Sequence, residues 1–212
     1  MLLCFDFDGV IVDSLRDNLD LINESQRRLK QGRAVRREDL ATLSSMTFQA
    51  VGQLIGIERE KIEEFTRVIY DLQKETDHQA GCFYGVREVL QELSQKNTLV
   101  IVSASESESI WEFLRREKLN NFITEALGGE SYTSKAERIR QALQIFQIAA
   151  NETYMIGDSR SDIREGKTAG VRTIGAAWGY QAAEVLRLEA PDYIAASPRD
   201  LLEFLHESTK VF

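Results

Sequence analysis

The fold is decided by one short stretch, Leu2-Leu3-Cys4-Phe5-Asp6-Phe7-Asp8-Gly9-Val10. Apolar and small residues lead into an aspartate, a second aspartate follows two positions later, and a glycine comes next. An apolar run that ends at glycine is typical of a buried strand. Two carboxylates at the end of such a strand repel each other and lose hydration, so we expect a lysine or a divalent cation beside them. The alternative is that one aspartate caps the following helix while the other is solvated.

The composition indicates one good-sized domain, or a domain with an insert, because 43% of the 212 residues are hydrophobic. The net charge of −8 argues against nucleic acid or an anionic membrane as a partner. No stretch approaches the roughly 20 apolar residues of a membrane span, and none resembles a signal peptide. The two cysteines, Cys4 and Cys82, form no disulfide framework, so we expect a reducing, cytoplasmic compartment.

Residues 15–80 carry helical patterns and no convincing strand. A helix is expected from Leu15 to about Gly32. Further helical segments are expected at 36–43, at 48–55 and from 62 to about His78. We therefore predict an α-helical cap subdomain at 15–80, inserted into a core domain formed by 1–14 and 81–212.

Strands and helices alternate from Gly85 onward. The predicted strands are Leu99–Val102, Ile123–Leu127, Thr153–Gly157, Val171–Ile174 and Tyr193–Ala195. Two capping boxes, Ser105 with Glu108 and Ser134 with Glu137, are expected to open helices. This alternation predicts an α/β fold with a three-layer, Rossmann-like core, in which a parallel sheet is covered on both faces.

Polar side chains follow three of the predicted strands, at the sheet edge where ligands of such folds bind. They are Asp6 and Asp8, Ser103, and Asp158. Two or three converging carboxylates suit Mg²⁺, which is commonly held by carboxylates, water and substrate phosphate. Lys135, in the first turn of its helix, adds a positive charge, with Lys167 as the alternative lysine. Helix N-termini add N–H donors for an anion, so the pattern favours a phosphoryl pocket.

Phosphoryl transfer requires an in-line nucleophile, charge neutralisation and a proton for the leaving oxygen. Asp6 suits the nucleophile, which would form an aspartyl-phosphate. Asp8 suits the group that protonates the leaving oxygen and then activates water.

These motifs resemble the four motifs of the haloacid dehalogenase (HAD) superfamily of phosphatases. They are Phe5–Ser14, Ile101–Ser103, Lys135 and Gly157–Ile163, in that order. The segments 169–175 and 178–180 are similar to phosphoglycolate-phosphatase-like members of this superfamily. The second aspartate of the first motif, Asp8, is typical of its phosphatases and phosphomutases.

The resemblance implies a set of site residues. Asp6 would be the nucleophile and Asp8 the general acid/base. The phosphoryl group would be bound by Ser103 and Lys135, together with Gly9 and Ala104. Mg²⁺ would be bound by Asp6, Asp158 and the Asp8 carbonyl, with Asp162 supporting the metal's waters. Each side chain also has an ordinary alternative: Lys135 as a solvated helix-start lysine, and Ser103 and Asp162 as caps.

Thr47 is the candidate substrate contact within the cap, although helix capping explains this residue equally well. His78 and His206 have no partner pattern and are expected at the surface. Trp178 is expected to pack against other side chains.

The function predicted from these features is that of a cytoplasmic, Mg²⁺-dependent phosphatase of a small phosphorylated metabolite, with monomer and homodimer both open. A phosphomutase of the same superfamily, similar to β-phosphoglucomutase, shares the core residues and is the first alternative. A phospho-accepting signalling domain is disfavoured, because such domains are shorter and carry their acceptor on a later strand. A non-catalytic phosphate-binding protein is the last alternative.

Overall fold

The structure, a computed structural model, describes residues 1–75, 80–131 and 133–208. The chain forms two compact units, one of Met1–Asp13 with Gly81–Phe212 and the other of Ser14–Ala80. The two connections leave the first unit side by side. The Asp13 N–H donates to the Gly81 carbonyl at 3.0 Å, and Val12 forms an isolated antiparallel bridge with Cys82. The helical unit is therefore an insertion that enters and leaves the core unit at one place.

The helical unit contains α1 (Leu15–Leu29), α2 (Phe48–Leu54) and α3 (Ile62–Glu75), with 3₁₀ helices at Arg37–Thr42 and Arg59–Lys61. The expected end of α1 at Gly32 is wrong by a few residues. The helix ends at Leu29, and Lys30 adopts the left-handed cap conformation with φ 53°. The expected segment 36–43 is a 3₁₀ helix, and the expected end of α3 near His78 lies outside the described residues.

The core unit is built on a six-stranded parallel sheet in the order β3-β2-β1-β4-β5-β6. The strands are β1 (Leu2–Phe5), β2 (Thr98–Val102), β3 (Glu125–Leu127), β4 (Thr153–Gly157), β5 (Arg172–Ala176) and β6 (Tyr193–Ala195). The helices are α4 (Val86–Ser94), α5 (Ser107–Arg116), α6 (Lys135–Phe146), α7 (Arg160–Ala169), α8 (Ala183–Leu186) and α9 (Pro198–Ser208). The predicted α/β fold is confirmed, with strand ends displaced by one or two residues.

Both faces of β1 are buried, which explains its continuous apolar sequence. Cys4 packs in one cluster with Ile139 of α6. Phe5 points to the other face, beside Val86 and Leu201 of α4 and α9. Burial raises the pKa of the Cys4 thiol to about 12, consistent with its expected role as a core residue.

The order of the strands determines where the site lies. The chain moves outward in one direction from β1 to β2 and β3, and in the other direction through β4, β5 and β6. Ligands of open parallel sheets bind at such a reversal, beyond the carboxyl ends of the strands. Asp6 and Asp158 follow the two strands that flank it, β1 and β4. Within the described ranges, no helix is long and apolar enough to cross a membrane.

Candidate active site

Three carboxylates meet at the carboxyl end of the sheet. Asp6, Asp158 and Asp162 each place an oxygen within 4.8 Å of the other two. Asp162 comes from the first turn of α7, where its Oδ2 accepts the Ser159 N–H at 3.0 Å in a capping box. This cap fixes the Asp162 side chain. Asp162 therefore has both the expected capping role and a place in the acidic cluster.

Lys135 is the cation that the carboxylates require. Its ammonium lies 2.9 Å from Asp6 Oδ2 and 2.5 Å from Asp162 Oδ1. The side chains of Lys135, Asp6 and Asp162 are only 13%, 14% and 2% exposed. The lysine starts α6, where the predicted Ser134–Glu137 capping box is confirmed. The alternative of a solvated helix-start lysine is therefore wrong for Lys135.

The electrostatics of the cluster are unusual for carboxylates. Burial, followed by repulsion from Asp162, raises the pKa of Asp6 from 3.8 to about 7, although Lys135 opposes the shift. Burial and the other two carboxylates also raise the pKa of Asp158. Burial alone would lower the pKa of Lys135, but attraction to Asp162 and Asp6 outweighs it, so that pKa lies above its usual value. One lysine thus leaves the cluster short of positive charge.

The donor set fits a divalent metal ion. Three carboxylates against one ammonium leave an excess of negative charge, and oxygen ligands are those that Mg²⁺ prefers. Asp158 is held by a 2.6 Å hydrogen bond from the Tyr180 N–H to its Oδ2. Asp6 and Asp158 would bind the ion most directly.

Two glycines make room for Asp158. Gly9 has φ +78°, and a Cβ there would lie 1.9 Å from Asp158 Oδ2. A Cβ on Gly179 would lie 2.4 Å from Asp158 Cβ and 2.3 Å from the Gly9 carbonyl oxygen. Any side chain at either position would displace the carboxylate, so these glycines are required for the acidic cluster.

The loop after β2 forms the other half of the site. The Ser103 hydroxyl accepts the Ser105 N–H at 3.1 Å, and the Ser105 hydroxyl donates to Asp8 Oδ2 at 2.9 Å. The Ser105 carbonyl accepts the Gly129 N–H at 3.0 Å. The loop therefore holds a candidate phosphate-binding hydroxyl and orients the candidate general acid/base at the same time.

Comparison with known proteins identifies the chain. The model of the haloacid dehalogenase-like hydrolase family matches residues 3–176.

The chain belongs to this family.

It is 27% identical to a phosphoglycolate phosphatase of Vibrio parahaemolyticus, over 95% of this chain and 94% of that protein. It is 26% identical to a pyrophosphatase PpaX of Listeria welshimeri, over 97% of this chain and 96% of that protein. A haloacid dehalogenase-like hydrolase of Streptococcus pneumoniae has the same fold, with a TM-score of 0.84 at 22% identity, over 96% of this chain and 97% of that one. The predicted resemblance to HAD hydrolases, and to phosphoglycolate phosphatases within them, is confirmed.

One predicted detail of this HAD chain is wrong. Ser105 and Glu108 do not form a capping box, because α5 begins at Ser107 and Glu106 occupies its N-cap without a side-chain bond. The Ser105 hydroxyl bonds Asp8 instead, and Glu108 pairs with Arg115 at 3.0 Å. A cap pattern read locally cannot reveal a partner 97 residues away.

The alternative lysine lies elsewhere in the HAD core. The Lys167 ammonium donates to the carbonyls of Glu189 and Ala190, at 2.6 and 2.7 Å. Trp178 packs as expected, and its indole N–H donates to the Val10 carbonyl at 3.1 Å.

Of the remaining candidates, Thr47 is the N-cap of α2, and its hydroxyl accepts the Ala50 N–H at 3.2 Å. Capping therefore explains Thr47, and its contact with substrate stays a prediction. His206 is half exposed and lies 3.4 Å from Glu92. His78 lies outside the described residues.

Sequence reasoning missed several residues around the site. Arg138 is buried one turn after Lys135 and donates to the Ser103 carbonyl at 2.6 Å. Glu165 accepts the Ala136 N–H at 2.7 Å, and so holds the start of α6. Only the i, i+3 spacing of Lys135 and Arg138 hinted at a shared face. The contacts of Ser105 and Glu165 are tertiary and left no local signal.

Proposed function

We propose that this chain is a Mg²⁺-dependent phosphatase that hydrolyses a small phosphomonoester through an aspartyl-phosphate on Asp6. The observation that carries the proposal is the buried contact between Lys135 and Asp6 within a cluster of three carboxylates, beside the Ser103 loop. Lys135 orients the Asp6 carboxylate and supplies positive charge next to the attacking oxygen. Bound Mg²⁺ would supply charge neutralisation for the phosphoryl oxygens.

In the first step, an Asp6 carboxylate oxygen attacks phosphorus and the bond from phosphorus to the leaving oxygen breaks. Asp8 transfers its proton to that oxygen, so the alcohol leaves neutral. In the second step, Asp8 takes a proton from water, the water oxygen attacks phosphorus, and the bond to Asp6 breaks. Phosphate is released and Asp6 is restored. Ser103, Lys135 and the Ala104 N–H would bind the phosphoryl oxygens throughout.

The substrate class follows from the relatives and stays part of the proposal. One relative is named a phosphoglycolate phosphatase and another a pyrophosphatase. Phosphoglycolate is therefore the first phosphomonoester to test, together with the general substrate p-nitrophenyl phosphate. Pyrophosphate, a phosphoanhydride whose leaving group is phosphate instead of an alcohol, tests the compound class in the second relative's name. The same proposal includes a role for residues 15–80 as a cap that selects the substrate, with Thr47 among the residues that contact it. It also includes the Asp8 carbonyl as a metal ligand and Gly9 as a phosphate contact.

The test measures phosphate release from each compound with Mg²⁺ and with EDTA. We expect release with Mg²⁺, none with EDTA, and at least about a 1,000-fold loss of kcat in Asp6→Asn. Asp71→Asn, on an exposed position of α3, is the matched control and should keep full activity. Acid-quenched wild-type protein should carry one phosphoryl group by intact mass, and Asp6→Asn should carry none. Substantial activity in Asp6→Asn, or full activity in EDTA, would contradict the proposal.

A phosphomutase is the alternative outcome. It would return the phosphoryl group from Asp6 to a sugar phosphate instead of water. Product analysis with a hexose phosphate separates the two, because a phosphatase yields inorganic phosphate and a mutase yields an isomeric sugar phosphate.

A further inference from the structure

Arg138 is a buried cation that the mechanism above does not use. It lies on α6, only 6% exposed, and its Nη1 donates to the Ser103 carbonyl at 2.6 Å. Among the residues that the structure describes, no carboxylate forms an ion pair with it, and its Nε has no hydrogen-bond partner.

Stability alone does not explain Arg138. A buried charge without a paired carboxylate is costly, and an apolar residue of similar length would avoid that cost. Burial lowers the pKa of Arg138, while the nearby charges of Asp6, Glu130 and Glu165 oppose the shift. A guanidinium remains charged under these conditions. Its hydrogen bond to the Ser103 carbonyl, beside the candidate phosphate-binding hydroxyl, indicates that the charge or the hydrogen bond serves the site.

The hydrogen bond acts on one peptide unit. The Ser103 carbonyl and the Ala104 N–H belong to the same planar trans peptide, so they point in opposite directions. By holding the carbonyl, Arg138 directs the Ala104 N–H away from its own guanidinium. Ala104 is exposed, and among the described residues its N–H donates no hydrogen bond. This N–H is therefore a donor that is oriented and left open for a ligand.

The other side of the loop is held as well. The Ala104 carbonyl lies against Gly129, where a Cβ would come within 2.2 Å of its oxygen. The Gly129 N–H bonds the Ser105 carbonyl at 3.0 Å. The loop thus rests against the backbone of Gly129 on one side and on the Arg138 guanidinium on the other.

We propose that Arg138 is a positioning residue of the phosphoryl site, which orients the Ala104 N–H toward a phosphoryl oxygen and supplies a second buried positive charge for the anion. The proposal rests on the function proposed above, in which Ser103 and Ala104 bind the phosphoryl group. The anion of the substrate then adds to the nearby negative charges of Asp6, Glu130 and Glu165, which lie too far from Arg138 to form ion pairs with it.

The experiment compares Arg138→Met, Arg138→Lys and the control Arg140→Met. Arg140 is exposed on the same helix and donates to the Thr168 carbonyl, far along the chain from the Ser103 loop. Binding of inorganic phosphate in the presence of Mg²⁺ is measured by calorimetry, and kcat and KM are measured with p-nitrophenyl phosphate. Calorimetry needs no turnover, so binding and catalysis are read separately.

We expect Arg138→Met to weaken phosphate binding and raise KM by about tenfold, as for loss of a charge-assisted hydrogen bond, with a smaller change in kcat. Arg138→Lys keeps the charge but not the rigid guanidinium, and should lose roughly threefold. Arg140→Met should match the wild type. A purely structural role would instead lower the active fraction, and so reduce kcat at unchanged KM.

Wild-type phosphate affinity and KM in folded Arg138→Met would overturn the proposal. If Arg138→Met fails to fold, Arg138→Lys decides: weaker phosphate binding at a native urea midpoint supports the proposal, and unchanged binding overturns it. Wild-type turnover that depends on Asp6, together with normal phosphate binding in the Arg138 variants, overturns this inference alone. A wild-type protein that neither binds phosphate nor hydrolyses the substrates overturns the proposed function and this inference together.

Discussion

Two lysine–carboxylate pairs, one in each unit, have similar geometry and opposite surroundings. In the core unit, Lys135 lies 2.5 Å from Asp162, and their side chains are 13% and 2% exposed. In the helical unit, Lys61 lies 2.7 Å from Glu64, and their side chains are 48% and 41% exposed. The distance between the ammonium and the carboxylate therefore says little about what either pair contributes to stability or function.

The pKa values of the carboxyl groups in the two units shift in opposite directions from their usual values. The hydrogen bond from Lys61 lowers the pKa of Glu64 below its usual value. In the core unit, burial and the crowding of carboxylates raise the pKa of Asp6 to about 7 despite the contact with Lys135. An exposed pair gains a little stability, whereas the buried cluster concentrates charge that the fold alone does not need. Buried and crowded charges of this kind are common at functional sites, whereas an exposed pair such as Lys61 and Glu64 is common on any protein surface.

The largest expected effect comes from Lys135→Met. This change removes the one ammonium that contacts Asp6 and Asp162. We expect a loss of about 3 kcal/mol in the free energy of unfolding without Mg²⁺, because buried carboxylates are left uncompensated. Phosphatase activity should fall at least about 100-fold. Urea unfolding near neutral pH measures the first effect, and a loss below about 1 kcal/mol would remove the contrast with Lys61.

The pH dependence of stability sharpens the same contrast. The pKa of Asp6 is 3.8 in the unfolded chain and about 7 in the folded one, so the folded state binds the extra proton between those values. Stability without metal should therefore fall as the pH rises from about 4 to about 7. Thermal unfolding in EDTA across this range checks the direction.

The control for this pH series is Asp6→Asn, which should reduce the fall and leave the part that the raised pKa of Asp158 contributes. Added Mg²⁺ should raise the melting temperature more at about pH 7.5 than at about pH 5, because it binds the ionised carboxylates. A melting temperature that rises with pH in EDTA would contradict the raised pKa.

A smaller effect is expected for Ser105→Ala, which removes the 2.9 Å hydrogen bond to Asp8. If Asp8 is the general acid, a loosely held Asp8 should matter most when the leaving oxygen needs a proton. We expect kcat/KM to fall roughly tenfold for phenyl phosphate and about twofold for p-nitrophenyl phosphate, which has the better leaving group. Ser105→Thr keeps the hydroxyl and should restore the wild-type ratio of kcat/KM between phenyl phosphate and p-nitrophenyl phosphate. Equal losses on both compounds would show that Ser105 does not act through Asp8.

The smallest effect is expected for Lys61→Met, the counterpart of Lys135→Met in the helical unit. Because Lys61 and Glu64 are both about half exposed, the free energy of unfolding should stay close to that of the wild type. Urea unfolding under the same conditions compares the two lysines directly. A loss as large as that of Lys135→Met would show that burial is not what separates them.

The sequence predicted the parts of the site that stand at strand ends. Asp6, Ser103 and Asp158 follow buried apolar strands, and a parallel sheet brings such positions to one edge. Lys135 was predictable from a capping box that fixes the start of α6. The sequence did not reveal Arg138, because an arginine within a helix usually extends to solvent. It misassigned Ser105, because a serine followed three residues later by glutamate has the same local pattern whether or not its hydroxyl caps a helix.

The paired connections of the helical unit have a consequence for how this architecture can change. The Asp13 N–H and the Gly81 carbonyl are hydrogen-bonded at 3.0 Å, so the chain leaves the core unit and returns to it at adjacent positions. An insertion, deletion or exchange of the segment between them leaves the register of β1 against β2 and β4 untouched. Recombination at these two connections can therefore replace the helical unit in a descendant of this chain, while the acidic cluster of Asp6, Asp158 and Asp162 is inherited unchanged.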